Sequence, residues 1–353
     1  MPLFKGASFM SAQGLAVLAA ALLLTAVATA APEPALPALP AVPEAAHMRL
    51  RRLELPQQAG QLAYYVSRQS SPRSALLVMH GYPRDATRSF KAGWAAVQAA
   101  GLQDRVLVVA PLFQVEAEEA SRCQTVGEPP AQAGDALWRC GGWLAGDRSS
   151  GSQAISSFAA LDALVVALLH QWPSLRSITL AGFSAGAQLL QHYAGFAADA
   201  PVGVRLRYVI ADPGTWLYFD AVRPTAAMQA PEAANCPHYN QWKYGSTELP
   251  PGLGRDADAA RARYRAAELV YVAGALDNGP GPGTADRLLD HSCAAQWQGP
   301  YRLQRAQGYL AYEREVLKPT RPRGLTVVQG CAHSVVCVLT SPEVRARLFD
   351  EAP

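Results

Sequence analysis

Charge is scarce in this chain: 17% of its 353 residues are Asp, Glu, Lys or Arg, and 31 basic against 28 acidic residues leave a net charge of +3. Basic runs are missing too, Arg51-Arg52 being the longest. A nucleic-acid binder needs a larger and more clustered basic excess, so no nucleic-acid partner is expected. Only one apolar segment is long enough to raise the membrane question, which excludes a multi-span transporter. There is no C-x-x-C pair and no adjacent histidine pair, which speaks against a zinc site. Six cysteines are too few for a disulfide miniprotein. What the chain has in quantity is apolar surface. Half of it is hydrophobic, enough for a sizeable core and far too much for a disordered chain.

Residues 1–30 read as a secretory signal peptide. Lys5 supplies the positive start, residues 14–27 the apolar stretch, and Ala28-Thr29-Ala30 an A-x-A cleavage site. The rival is an uncleaved anchor helix, but an apolar core of about 14 residues is short for a span. No stable membrane span is expected after cleavage, which places the mature chain in the periplasm or outside the cell. Residues 31–48, rich in Pro and Ala, read as an extended linker, and 49–353 as the folded domain. Export permits disulfides. Cys123 and Cys140 share a loop region, Cys331 and Cys337 are close neighbours, and Cys236 and Cys293 are left for each other. This is the preferred pairing among the roughly 15 that six cysteines allow.

Short aliphatic runs recur through the domain. Residues 75–79, 106–110, 178–181, 208–211, 269–273 and 325–328 predict strands, the second stopped by Pro111. Their lack of polar alternation predicts burial on both faces, the mark of a parallel sheet. Phe158, Leu161, Leu164, Val165 and Leu168 fall on one face of a helix, and 185–197 predicts another. The alternation implies an α/β fold, a doubly wound and mostly parallel sheet, with 49–70 available as an antiparallel edge. Two segments break the rhythm. Residues 112–150 hold two cysteines, Trp138 and Trp143; residues 212–266 hold Trp216, Tyr218, Phe219, Tyr239, Trp242 and Tyr244, and read as a lid or cap insertion. Most of these aromatics are expected to build satellite cores.

The sharpest signal is Gly182-Phe183-Ser184-Ala185-Gly186, which follows a predicted strand and opens a predicted helix. On so tight a turn the serine is strained and its hydroxyl pushed outward, and larger side chains at the two glycines would collide across the turn. A serine nucleophile needs a base, oriented in turn by an acid. With the chain order Ser, acid, His, the base is His333, bracketed by Cys331 and Cys337 after the last strand. His192 sits on the helix behind the turn, and His80, ending a buried strand, reads as a hydrogen-bonded core residue. The acid should follow the preceding strand, which selects Asp277 over Asp286, Asp290 and Asp212. An oxyanion needs fixed N–H donors. The amides of Ala185 and Tyr82 are assigned, the latter in His80-Gly81-Tyr82-Pro83-Arg84-Asp85. Residues 289–302 match no motif with a mechanism.

Together, His80-Gly81-Tyr82-Pro83, the elbow at 182–186, Asp277 and His333 resemble the α/β-hydrolase superfamily over most of residues 70–345. The H-G-x-P turn looks like the oxyanion loop of its esterase, epoxide hydrolase and dehalogenase branches. The last two usually carry an aspartate nucleophile, so Ser184 favours acyl transfer. Phe183 departs from the His or Tyr of many members, at a variable position. The resemblance implies no metal and no cofactor, and cleavage of an ester, thioester or amide. The favoured reading is an exported carboxylesterase acting on a small-molecule or lipid-like ester, with an apolar or aromatic pocket suggested by residues 212–266. A peptidase or amidase is the enzymatic alternative. An inactive, hydrolase-like binding protein is the alternative from another class.

Overall fold

The computed structural model describes residues 47–224 and 228–349. Residues 1–30, read as the signal, and 31–46 of the linker lie outside them. The aliphatic runs form one sheet of β1 (Arg49–Glu54), β2 (Gln61–Val66), β3 (Ser74–Met79), β4 (Val106–Leu112), β5 (Ser177–Phe183), β6 (Arg205–Ala211), β7 (Glu268–Gly274) and β8 (Leu325–Val328). The order is β1-β2-β4-β3-β5-β6-β7-β8. From β4 to β8 all neighbours are parallel, while β1–β2 and β2–β4 are antiparallel.

The uninterrupted apolar runs serve two cores at once. On β3, Ala75, Leu77 and Met79 face one side and Leu76 and Val78 the other. The first side is covered by α3 (Ser157–Gln171), α4 (Ala185–Phe196), α5 (Ala257–Ala266) and α7 (Arg302–Tyr312), whose Leu164, Leu189, Tyr264 and Tyr309 join its core. The second is covered by α1 (Ala86–Ala99), α8 (Val335–Thr340) and α9 (Pro342–Leu348), through Phe90, Val338 and Leu348. Two short helices, α2 (Ala117–Cys123) and α6 (Cys293–Gln296), lie in the long connections. The five apolar residues predicted to share a helix face are all buried on α3. The side chain of Ser156 caps that helix, accepting from the Ala159 N–H at 3.1 Å.

Two local expectations fail for physical reasons. β4 runs through Pro111 to Leu112. β3 pairs only with Val106–Val109, so Pro111 lies beyond that partner, and its missing N–H costs no bond to β3. The insertion aromatics mostly join the main core, not satellites: Trp138, Trp143, Trp216, Tyr218 and Phe219 belong to it and Trp242 packs against it, while Tyr239, with Tyr244 against it, packs in a small cluster with Cys236 and Ala294. Gln191 of α4 explains part of this. Its side chain accepts from the Leu217 N–H at 2.9 Å and donates to the Leu217 carbonyl at 3.2 Å, which stitches the start of the second segment onto α4. Residues 257–266 of that segment form α5, beside α4.

The cysteines pair as 123–140, 236–293 and 331–337, with Cα separations of 5.6, 5.9 and 5.7 Å. These are ordinary disulfide spans. Among the described residues no helix is long and apolar enough to cross a membrane.

Candidate active site

Ser184 stands between the end of β5 and the start of α4, with φ +58° and ψ −122°. A serine at positive φ is strained, and such strain persists only where its surroundings over-determine it. Both flanking glycines are sterically required, for different reasons. A Cβ on Gly182 would strike the Gly186 carbonyl across the turn. A Cβ on Gly186 would lie 2.5 Å from the His80 carbonyl and 2.7 Å from that of Met79. The second glycine is therefore demanded by the neighbouring strand β3, not by the turn itself.

Asp277 and His333 come from loops after β7 and β8 and meet directly. His333 Nδ1 lies 2.7 Å from Asp277 Oδ2. Backbone bonds hold both loops: the Leu276 N–H donates to the Cys331 carbonyl and the His333 N–H to the Gly283 carbonyl, each at 2.9 Å. Burial lowers the His333 pKa, a shift the bond to Asp277 only partly opposes. Arg302, at the start of α7, is 1% exposed and donates to Asp277 Oδ1 at 3.2 Å and to the Thr284 carbonyl at 2.7 Å. Asp212, at φ +50° just past β6, is fully buried, and both its carboxyl oxygens accept from the Gly274 N–H. Burial, and then the charge of Asp277, push its pKa well above the carboxylate range.

The other rivals have other partners. Asp286 lies beside His291, and Asp290 accepts from Tyr244 and pairs with Lys243 at 3.3 Å. His80 is buried, its Nδ1 against the Gly81 carbonyl and its Nε2 accepting from the Phe113 N–H. His192 is buried between the Gln188 and Lys243 carbonyls. Burial lowers both pKa values, to about 3 and about 4.

Ser184, His333, Tyr82 and Ala185 line one cavity of about 380 Å³ at the carboxyl ends of the strands. Among the described residues neither the Tyr82 nor the Ala185 amide has a hydrogen-bond acceptor. The cavity takes its aromatic surface from Tyr82 and Phe183, while residues 212–266 contribute Gly214 and Lys243 to the wall. The expected aromatic lining from that segment is absent because its rings are spent in the core. Two groupings could bring three ligand atoms to a metal ion: Asp212, Asp277 and His333, and Glu119 with Cys123 and Cys140. In the first, Asp277 already holds His333 and Arg302; in the second, the sulfurs form a disulfide.

No family model matches the chain, and no curated protein is similar to it in sequence. Among solved structures it is similar to poly(aspartic acid) hydrolase-1 from Sphingomonas sp. KT-1, with a TM-score of 0.56 at 17% identity over 86% of this chain and 98% of that one. It is also similar to LpqC, a poly(3-hydroxybutyrate) depolymerase from Bordetella parapertussis, with a TM-score of 0.54 at 20% identity over 86% of this chain and 95% of that one. The chain has the α/β-hydrolase fold.

Within this α/β-hydrolase fold the loop after β3 is held by a residue that no motif announced. Arg84, at φ +54°, is fully buried and donates to five backbone carbonyls, those of Phe113, Cys123, Trp138, Arg139 and Cys140. Burial pulls its pKa down to about 10, so it stays charged at neutral pH. It ties the Tyr82 turn to the segment closed by the 123–140 disulfide. Replacing Arg84 with Met would strip a charged donor from all five carbonyls. The expected cost is at least about 3 kcal/mol, read as a lower urea midpoint of the oxidised protein at unchanged m-value.

Proposed function

We propose that this chain is an exported serine hydrolase that cleaves carboxylic esters through Ser184, His333 and Asp277. One juxtaposition carries the reading: a serine kept at positive φ shares the wall of one cavity with His333, whose Nδ1 is held from behind by the buried Asp277. His333, oriented by Asp277, takes the Ser184 hydroxyl proton as Oγ attacks the acyl carbonyl. The amides of Tyr82 and Ala185 hold the oxyanion. His333 passes the proton to the leaving alcohol, and water, activated by the same imidazole, clears the acyl-enzyme. Residues 212–266 cap the site. Export is supported by the signal-like start of the sequence and by three cysteine pairs of a kind that persists in oxidising compartments. That one similar structure is a poly(aspartic acid) hydrolase and another a poly(3-hydroxybutyrate) depolymerase supports hydrolysis as the reaction class.

A fluorophosphonate probe tests the reading, since it labels an activated serine and spares an inert scaffold. Labelling at Ser184 is expected, together with turnover of short p-nitrophenyl esters. The base must be neutral to work, and burial lowers its pKa from 6.5. Activity should therefore be full at neutral pH and fall on acidification, with the midpoint of the acid limb of kcat/KM below 6.5. Absence of both labelling and turnover overturns the proposal.

A further inference from the structure

The wall beside Ser184 carries hydrogen-bond donors that the protein itself does not use. Three cations line the cavity: Arg88 from the first turn of α1, Lys243 and Arg302. Arg302 is taken by Asp277 and the Thr284 carbonyl. Lys243 is paired with Asp290 at 3.3 Å. Arg88 makes no hydrogen bond or ion pair with another described residue. Its charge is felt by Asp85, but an oxygen of that carboxylate already accepts from the Gly81 N–H at 2.8 Å. A second donor is idle as well. Gln188, one turn beyond Ser184 on α4, is 5% exposed and lines the same cavity, and its Nε2 has no partner.

Of the two carboxylates on this wall, Asp85 uses one oxygen for the Gly81 N–H and Asp290 is fully engaged. Asp290 takes the Tyr244 hydroxyl at 2.7 Å and the Ser292 N–H at 3.0 Å besides Lys243. A neutral apolar ligand filling the cavity would strip water from the Arg88 guanidinium and return nothing, which is unfavourable. A carboxylate would answer it, because the planar fork of arginine matches two carboxylate oxygens. The volume of about 380 Å³ suits a small molecule.

We infer that Arg88 is a specificity-determining residue, and that the substrate is an ester whose non-scissile end carries a carboxylate, such as a short monoester of a dicarboxylic acid. Gln188 supplies a further donor to the same group. This inference rests on the serine-hydrolase reading of the site.

The test compares p-nitrophenyl hexanoate with the mono-p-nitrophenyl ester of adipic acid, which match in chain length and differ in the terminal carboxylate. The wild-type chain should favour the adipate ester in kcat/KM, and high salt should shrink that preference. In Arg88→Gln the adipate-to-hexanoate ratio should fall about tenfold, and Arg88→Lys, which keeps the charge without the fork, should retain part of it. Turnover of hexanoate in each variant reports that the site is still assembled. A wild-type preference for hexanoate, or an unchanged ratio in Arg88→Gln, overturns the inference while leaving the hydrolase reading intact. Failure of both esters together with failed probe labelling removes the hydrolase reading, and this inference with it.

Discussion

Ser184→Ala is expected to lower kcat on p-nitrophenyl butyrate by at least about 10⁴-fold while leaving the fold in place. The loss follows from chemistry: among the described residues that line the cavity, Ser184 carries the only aliphatic hydroxyl. The retained fold follows from the backbone, because the Ser184 N–H bond to the Ala211 carbonyl, at 3.0 Å, does not involve the side chain. Ser184→Gly sharpens the argument. At φ +58° a serine stores on the order of 1 kcal/mol or more of strain that glycine does not. The glycine variant should be as inactive as the alanine variant and at least as stable as wild type in urea. A residue kept for its structural role would show the opposite, with stability lost and turnover spared. Full activity in either variant removes Ser184 from the mechanism.

What could be read in the sequence was whatever local sterics and strand chemistry impose. The aliphatic runs became strands because a segment buried on both faces has no use for polar alternation, and β3 shows both faces filled. The elbow was legible because the glycines at 182 and 186 mark where a Cβ cannot fit. Asp277 and His333 were singled out by chain order and by strand ends, and the structure brings their side chains within 2.7 Å of each other. Arg84, Arg88 and Arg302 were not legible. Each owes its place to partners or cavity walls drawn from distant parts of the chain, and an arginine in a loop or first helical turn looks the same in sequence whether it is buried or bathed in water. The aromatics of 212–266 misled for the same reason. Their abundance was visible, but their direction was set by the Gln191 stitch to α4 and by the rings of α7, which turned them inward and away from the cavity.

Asp277→Asn and Asp212→Asn should separate two carboxyls that the fold places side by side. An oxygen of each, and a ring nitrogen of His333, lie within 4.8 Å of one another. Their environments differ. Asp277 holds His333 Nδ1 at 2.7 Å and is flanked by the buried Arg302. Asp212 meets a single backbone N–H, with burial and the neighbouring charge both favouring its protonated form. On the proposed mechanism the partner of the imidazolium is the carboxyl that touches the imidazole, Asp277. Asp277→Asn keeps the shape and removes that charge, so kcat should fall by about 10³- to 10⁴-fold. Asp212→Asn replaces a carboxyl that favours its neutral form with a neutral amide whose oxygen can still accept from Gly274, and should cost less than about tenfold. If the two losses were exchanged, Asp212 would be the acid of the triad, and the 2.7 Å bond to Asp277 would be only a structural tether for the loop that carries His333.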